Sequence, residues 1–156
     1  MKMKKVLDSF NNAINGIIDT VRTERNMKIH LIVSLFILIG CFFFDVTKYE
    51  FLILAVTISM VISAEIVNTA IEAAIDMTTN YYHPLAKVAK NAAAGAVLVT
   101  AINAVVVGYI IFWDKLSNLS YTLVKRVKTS EPYTIFIVLV IVCIATIIDK
   151  AIFGEG

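Results

Sequence analysis

Over residues 6–21 the apolar side chains Val6, Leu7, Phe10, Ala13, Ile14, Ile17, Ile18 and Val21 recur every three or four positions. Lys4, Lys5, Asp8, Asn11, Asn12, Asn15 and Asp19 take the other positions. That period puts one apolar stripe on a helix. Its polar face and basic flank suit a helix lying in the headgroup plane of a membrane, and equally one packed on the inner face of the protein itself. The period then gives way to mainly apolar runs at residues 29–44, from residue 51, at 91–113 and at 133–148; the second is plain hydrocarbon to residue 64 and continues as a helix beyond it. Each is predicted to span a bilayer, which takes about 20 residues. The first run is short for this, so Met27, Lys28 and the run's ends must help by snorkelling or local thinning. Residues 45–50 form a polar link between the first two runs. The third run opens on Ala92, Ala93, Ala94, Gly95 and Ala96, small enough for close helix approach, and closes on Trp113, a residue typical of the far interface. Residues 78–90 hold Tyr81, Tyr82, His83 and Pro84 and read as a loop at the membrane face, with Pro84 suited to the first turn of the next helix.

Composition agrees. Hydrophobic residues make up 59% of the 156 positions and charged ones 17%, against roughly 45–50% and about 25% in soluble domains. The expected fold is an all-α membrane protein: an amino-terminal amphipathic surface helix, three transmembrane helices in one compact unit, and a fourth, carboxy-terminal transmembrane helix. A formal charge of only +2, with no long basic run, speaks against nucleic-acid binding. Cys41 and Cys143 lie within apolar runs, without metal-ligand spacing to His30 or His83, and are expected to pack or face lipid. The start of the chain lacks the short apolar core and cleavage pattern of a secretory signal. With the amino terminus in the cytoplasm, Lys2, Lys4, Lys5, Arg22, Arg25, Lys28, Lys87, Lys90 and Lys150 fall inside, and Lys48, Lys115, Lys125, Arg126 and Lys128 outside. Nine against five favours this orientation.

The second run departs from plain hydrocarbon at its end. Glu65, Asn68, Glu72 and Asp76 follow at i, i+3, i+7 and i+11 while the helical pattern continues, so all four project from one face. A carboxylate inside a membrane helix costs at least about 2.5–3.5 kcal/mol, so such residues turn inward and mark a site. The bland alternative is a set of carboxylates reaching the cytoplasmic interface, which suits Asp76 best. Two carboxylates on one face call for a counter-ion: a divalent metal, Lys90, or an arginine such as Arg22 or Arg25. Magnesium commonly binds through one or two carboxylates plus substrate phosphates. Glu24, on the same side of the membrane, can complete a Glu24–Glu72 pair, or simply pair with Lys28 at i+4. Lys90 precedes the backbone amides of Asn91 to Ala94, read as the unpaired donors of a helix start that attract phosphate; alone, it would be a topology anchor. No phosphate-binding GxxxxGK[ST] loop or kinase Gly-rich loop occurs.

Three stretches carry a resemblance: Glu65-Ile-Val-Asn68-Thr-Ala-Ile-Glu72, Tyr82-His83-Pro-Leu-Ala-Lys87-Val-Ala-Lys90, and Ala92-Ala-Ala-Gly-Ala-Val-Leu98. Together with Ser9-Phe10, Ala13, Gly16-Ile17 and Thr23-Glu24-Arg25-Asn26, they resemble the small prokaryotic integral-membrane diacylglycerol kinases. The His-Pro-Leu-Ala-Lys wording is nearest the Gram-positive undecaprenol kinase branch. The likeness covers about residues 5–113. It implies a membrane lipid kinase module at 1–113, a linker at 114–132 and an additional helix with a tail at 133–156. It also implies a multi-pass protein of the bacterial cell membrane that transfers phosphate from ATP, with Mg2+, to undecaprenol or diacylglycerol at the cytoplasmic face. Carried over by position, Glu65 acts as general base on the lipid hydroxyl, with Asn68 supporting the site. Glu24 and Glu72 bind the nucleotide's magnesium, Lys90 holds phosphate, and Tyr81, Tyr82, His83 and Asn91 lie along the nucleotide. The family's homotrimers, with composite sites between subunits, are expected here too.

Asn91 and Tyr81 stand where the family usually has acidic residues, which points to altered nucleotide or metal binding, or to a lipid-binding or assembly protein that no longer turns over. A small ion or proton carrier is a third possibility, opposed by the clustering of the polar residues at one membrane face. The fourth run goes beyond the compact family. Residues 131–156 resemble the start of a fused type-2 phosphatidic acid phosphatase module, so an isolated or truncated front half is expected; none of that module's Ser-Gly-His or distal His-Asp elements occurs, and no phosphatase activity is assigned.

Overall fold

A computed structural model describes residues 2–78, 83–117 and 134–153, and these are almost entirely helical, with no strand among them. The helices are α1 (Lys2–Thr23), α2 (Arg25–Phe43), α3 (Lys48–Thr78), α4 (Pro84–Ser117) and α5 (Thr134–Phe153). Helices α2, α3 and α4 are each long and apolar enough to cross a membrane. The 20 residues of α5 rise about 30 Å, the thickness of the hydrocarbon core.

Two boundaries differ from expectation, each for a local reason. Helix α2 starts at Arg25, well before its apolar run, because only Glu24 separates it from α1; its 19 residues take in Met27 and Lys28, which were expected to help the short run. The part of the 78–90 loop from Pro84 onward is helix. Proline is preorganised for a first helical position, where its missing N–H leaves no bond unmade. The amide of Leu85 donates to His83 Nδ1 at 3.2 Å, and that of Lys87 to the His83 carbonyl at 3.2 Å, so His83 caps the helix. Asn91 to Ala94 consequently lie inside α4, and their amides are not the phosphate-attracting helix start expected for them. At the other end of the hairpin, Thr47 and Glu50 form a reciprocal capping box for α3: Thr47 N donates to Glu50 Oε2 at 2.7 Å, and Glu50 N to Thr47 Oγ1 at 3.3 Å.

Helices α3 and α4 form a tightly packed antiparallel hairpin. Ion pairs tie both ends, Lys115 to Glu50 at 3.2 Å and Lys90 to Asp76 at 2.5 Å. Lys115 also donates to the Asp45 carbonyl at 2.7 Å. In lipid, helix association rests on close packing rather than on escape from water. At the Lys115 end that packing comes from Leu38, Cys41, Val46, Phe51, Leu54, Ile111 and Ile137, with Phe44 edge-on to Phe112 at 5.7 Å. Helix α5 runs along α2 and reaches α1, where Ile144, Ile147 and Ile148 meet Val21, Met27 and Leu31. Cys41 is buried and Cys143 exposed, and neither forms a disulfide among the described residues.

Helix α1 is packed along one part of its length and uncovered along the other. Ile18, Thr20 and Val21 are buried against the protein, whereas Met3, Val6, Leu7, Phe10 and Ile14 are exposed, an uncovered apolar stripe fit for the headgroup layer. Among the described residues α2 and α4 make no close backbone approach. The gap between them, backed by α3, holds the cavities described next.

Candidate active site

The inward face of α3 carries Leu54, Thr57, Val61, Glu65 and Asn68 as buried residues, so the acidic series continues the packing face, as its spacing requires. Glu65 is 1% exposed, and neither of its carboxylate oxygens has a hydrogen-bond partner. Asn68 donates from Nδ2 to Glu72 Oε1 at 3.0 Å, leaving its buried Oδ1 free. These three side chains line a cavity of about 340 Å³ with Glu24, Asn26 and His30 from the head of α2 and with Ala94, Val97 and Ala101 from α4. The small α4 residues leave the volume that larger side chains would fill.

Glu24 reaches the cavity because of its backbone. It is the N-cap of α2, with extended torsions (φ −95°, ψ 119°), yet its side chain makes no capping hydrogen bond. The carboxylate is thereby free to face the cavity. Its alternative partner, Lys28, instead donates to the Arg22 carbonyl at 3.0 Å. Glu24, Glu65 and Glu72 thus meet at one cavity from two helix ends. Among the described residues no three His, Cys, Asp or Glu side chains close into a metal cage. The fit is to a hard cation that takes two carboxylate ligands and completes its shell with waters and phosphate oxygens. A carboxylate with unused lone pairs at a cavity wall is also placed to accept a proton from a hydroxyl.

Other expected site residues lie elsewhere. Lys90 pairs with Asp76, its side chain 35% and its partner's 65% exposed, so Asp76 serves as the lysine's counter-ion. Asn91 is exposed on α4 beyond it, and His83 caps the start of that helix. Tyr81 and Tyr82 lie outside the described residues. Two cavity residues went unread in the sequence, Asn26 and His30. Their signal is a polar pair at i, i+4 at the head of an apolar run. His30 and Ala101 also line a second, mainly apolar cavity of about 390 Å³, enclosed with Val33, Ile37, Val105 and Gly108 among others. His30 therefore stands where a polar chamber adjoins an apolar one.

The sequence profile of the prokaryotic diacylglycerol kinase family matches residues 11–112, a stretch holding every cavity residue. The chain is similar to the undecaprenol kinase of Bacillus subtilis (strain 168), at 41% identity over 115 residues, 74% of this chain and 94% of the relative. It is similar to the diacylglycerol kinase of Synechocystis sp. at 38% over 104 residues, 66% of this chain and 59% of that one. With the diacylglycerol kinase of Escherichia coli (strain K12) it shares 36% over 82 residues, 53% of this chain and 66% of that one. No solved structure gives a significant match. With a matching profile over residues 11–112 that takes in every residue lining the cavity and a relative aligned over nearly its whole length, the chain belongs to the prokaryotic diacylglycerol kinase family.

Proposed function

We propose that the protein phosphorylates the hydroxyl of a membrane lipid alcohol from ATP at the cytoplasmic face, with undecaprenol as acceptor ahead of diacylglycerol. The observation that carries this is the Glu65 carboxylate, almost wholly buried and unpartnered, in one cavity with Glu24 and Glu72. Glu65 takes the hydroxyl proton as the lipid oxygen bonds to the terminal phosphorus of ATP; the bond from that phosphorus to the bridging oxygen breaks, and ADP departs. Asn68 holds Glu72 through its amide. Glu24 and Glu72 would hold magnesium, whose charge neutralises the phosphate oxygens that positioning alone cannot. Lys90 exchanges Asp76 for phosphate. The acceptor's hydrocarbon lies in the apolar cavity beyond His30, which favours a prenol, because it offers few polar groups to ester carbonyls. Ser34, on its wall, already donates to the His30 carbonyl at 2.7 Å.

The family's homotrimer finds support on the opposite face of α3. Ile53, Val56, Met60, Ser63, Val67, Ala70, Ala74 and Met77 repeat at alternating three- and four-residue steps, and every one is exposed. Such a seam is what a helix presents to copies of itself.

The test is transfer of labelled phosphate from ATP to undecaprenol and to diacylglycerol, side by side in mixed micelles. Glu65→Gln should lower turnover by about 10²–10⁴-fold, the usual loss on removing a general base, with helicity and micelle-bound size unchanged. Full turnover in that variant would remove Glu65 as the base. The placement of Lys90 outside the cavity favours one rival, a family member that binds lipid without turning over; robust transfer by the native chain would end it.

A further inference from the structure

We propose that α5 splints the joint between α1 and α2 and so fixes where the Glu24 carboxylate meets the cavity. The inference rests on Glu24 acting as proposed above, and it gives a function to a helix that lies outside the family match at residues 11–112.

The joint needs a splint. Glu24 is its single non-helical residue, and the backbone bonds flanking it are unequal: Glu24 N to Thr20 O spans 2.9 Å, whereas Lys28 N to Glu24 O stretches to 3.4 Å. Through most of its length α1 has no protein beneath it, since residues 3–16 are exposed. A long helix anchored only by its last turn pivots about that turn unless something grips both sides of the pivot.

One face of α5 does this. Ile144, Ile147 and Ile148 fall at i, i+3 and i+4, hence on one side of the helix, and they pack against Val21 in the last turn of α1 and against Met27 and Leu31 at the head of α2. The three gripped residues are 1%, 0% and 5% exposed; α3 adds Ile62 and Ile66 to the same cluster, and α5 closes the packing on both sides of Glu24. A polar tie reinforces it. Arg22 Nη2 donates to the Lys150 carbonyl at 3.3 Å, in the last turn of α5, where carbonyls lack intrahelical partners and a cation meets the negative end of the helix dipole. Glu24 lies two residues from Arg22 and three from each of Val21 and Met27. Any tilt of α1 against α2 therefore moves its carboxylate relative to Glu72, and a displacement of about 1 Å suffices to disrupt a positioned reaction.

The test uses the full chain in lipid nanodiscs with Ile147→Ala/Ile148→Ala. Amide hydrogen exchange over residues 17–28 is expected to speed up by about fivefold or more as the joint opens locally. The magnesium concentration for half-maximal phosphorylation should rise while the KM for the lipid acceptor stays in place. Ile147→Leu/Ile148→Leu, which keeps the volume, should restore both, and Leu139→Ala/Val142→Ala, on the exposed side of α5, should change neither. Unchanged exchange in the first variant overturns the splint, as does equal acceleration in the exposed-side control. Faster exchange with an unaltered magnesium requirement overturns the link to Glu24. Should the native chain phosphorylate nothing, the kinase assignment fails by itself, and the exchange measurement still decides the splint.

Discussion

At the scale of single residues, Lys90 gives the sharpest expectation. Its ammonium sits on Asp76 in a pair open to solvent, and exposed pairs contribute roughly 0.2–1 kcal/mol. Exchanging that carboxylate for a nucleotide phosphate is thus a light task. Asp76→Asn, by leaving Lys90 uncommitted, should lower the KM for ATP by at most about fivefold, the equivalent of that energy, and Lys90→Ala should raise it; steady-state kinetics at saturating lipid read both. The carboxylates were legible in the sequence because charge inside an apolar run has one economical explanation, an inward-facing site. The partner of Lys90 was not, because Asp76 lies on the neighbouring helix, at a separation of 14 residues that no helical spacing relates. Asn26 and His30 escaped notice for a related reason: at the head of a span, polar residues face water as readily as they face a cavity.

At the scale of elements, α3 works as a two-sided beam. One side carries Leu54, Val61, Glu65 and Asn68 into the protein, and the other shows the exposed seam from Ile53 to Met77. Helix α4 contributes chiefly by being thin where it faces the gap. An added Cβ at Gly108 would meet nothing within 4 Å, and this residue lines the apolar cavity. Gly108→Leu should therefore fold normally while filling that chamber. Its expected signature is a selective rise in the KM for long-chain acceptors, with the KM for ATP unmoved, measured against a short-chain prenol. Of the elements themselves, the helices were plain from hydrophobic periodicity and run length. Pro84 was read as suited to a first helical turn, and α4 does begin there; the cap from His83 and the helical course of residues 84–90 were not legible, because that stretch has the composition of a loop.

At the scale of the whole molecule, the exposed α3 seam predicts where copies meet. In a Cys143→Ser background, Val67→Cys should form disulfide-linked dimers under mild oxidation in native membranes, whereas Val99→Cys, exposed on α4 and lining neither cavity, should not. Equal crosslinking at both positions would remove α3 as the shared axis. The number of copies was beyond the reach of the sequence, since an exposed heptad face is written in the same residues whether it meets lipid or a neighbouring helix.

The gap between α2 and α4 has a consequence for how the enzyme meets its acceptor. Because the apolar chamber is bounded by α2, α3 and α4 and joins the acidic one at His30, the proposed function has the lipid enter along the plane of the bilayer without leaving it. Its encounter rate is then set by crowding in two dimensions. The relevant abundance is the mole fraction of acceptor in the leaflet, and diluting the membrane with inert lipid slows the reaction even when every molecule of substrate remains in the tube.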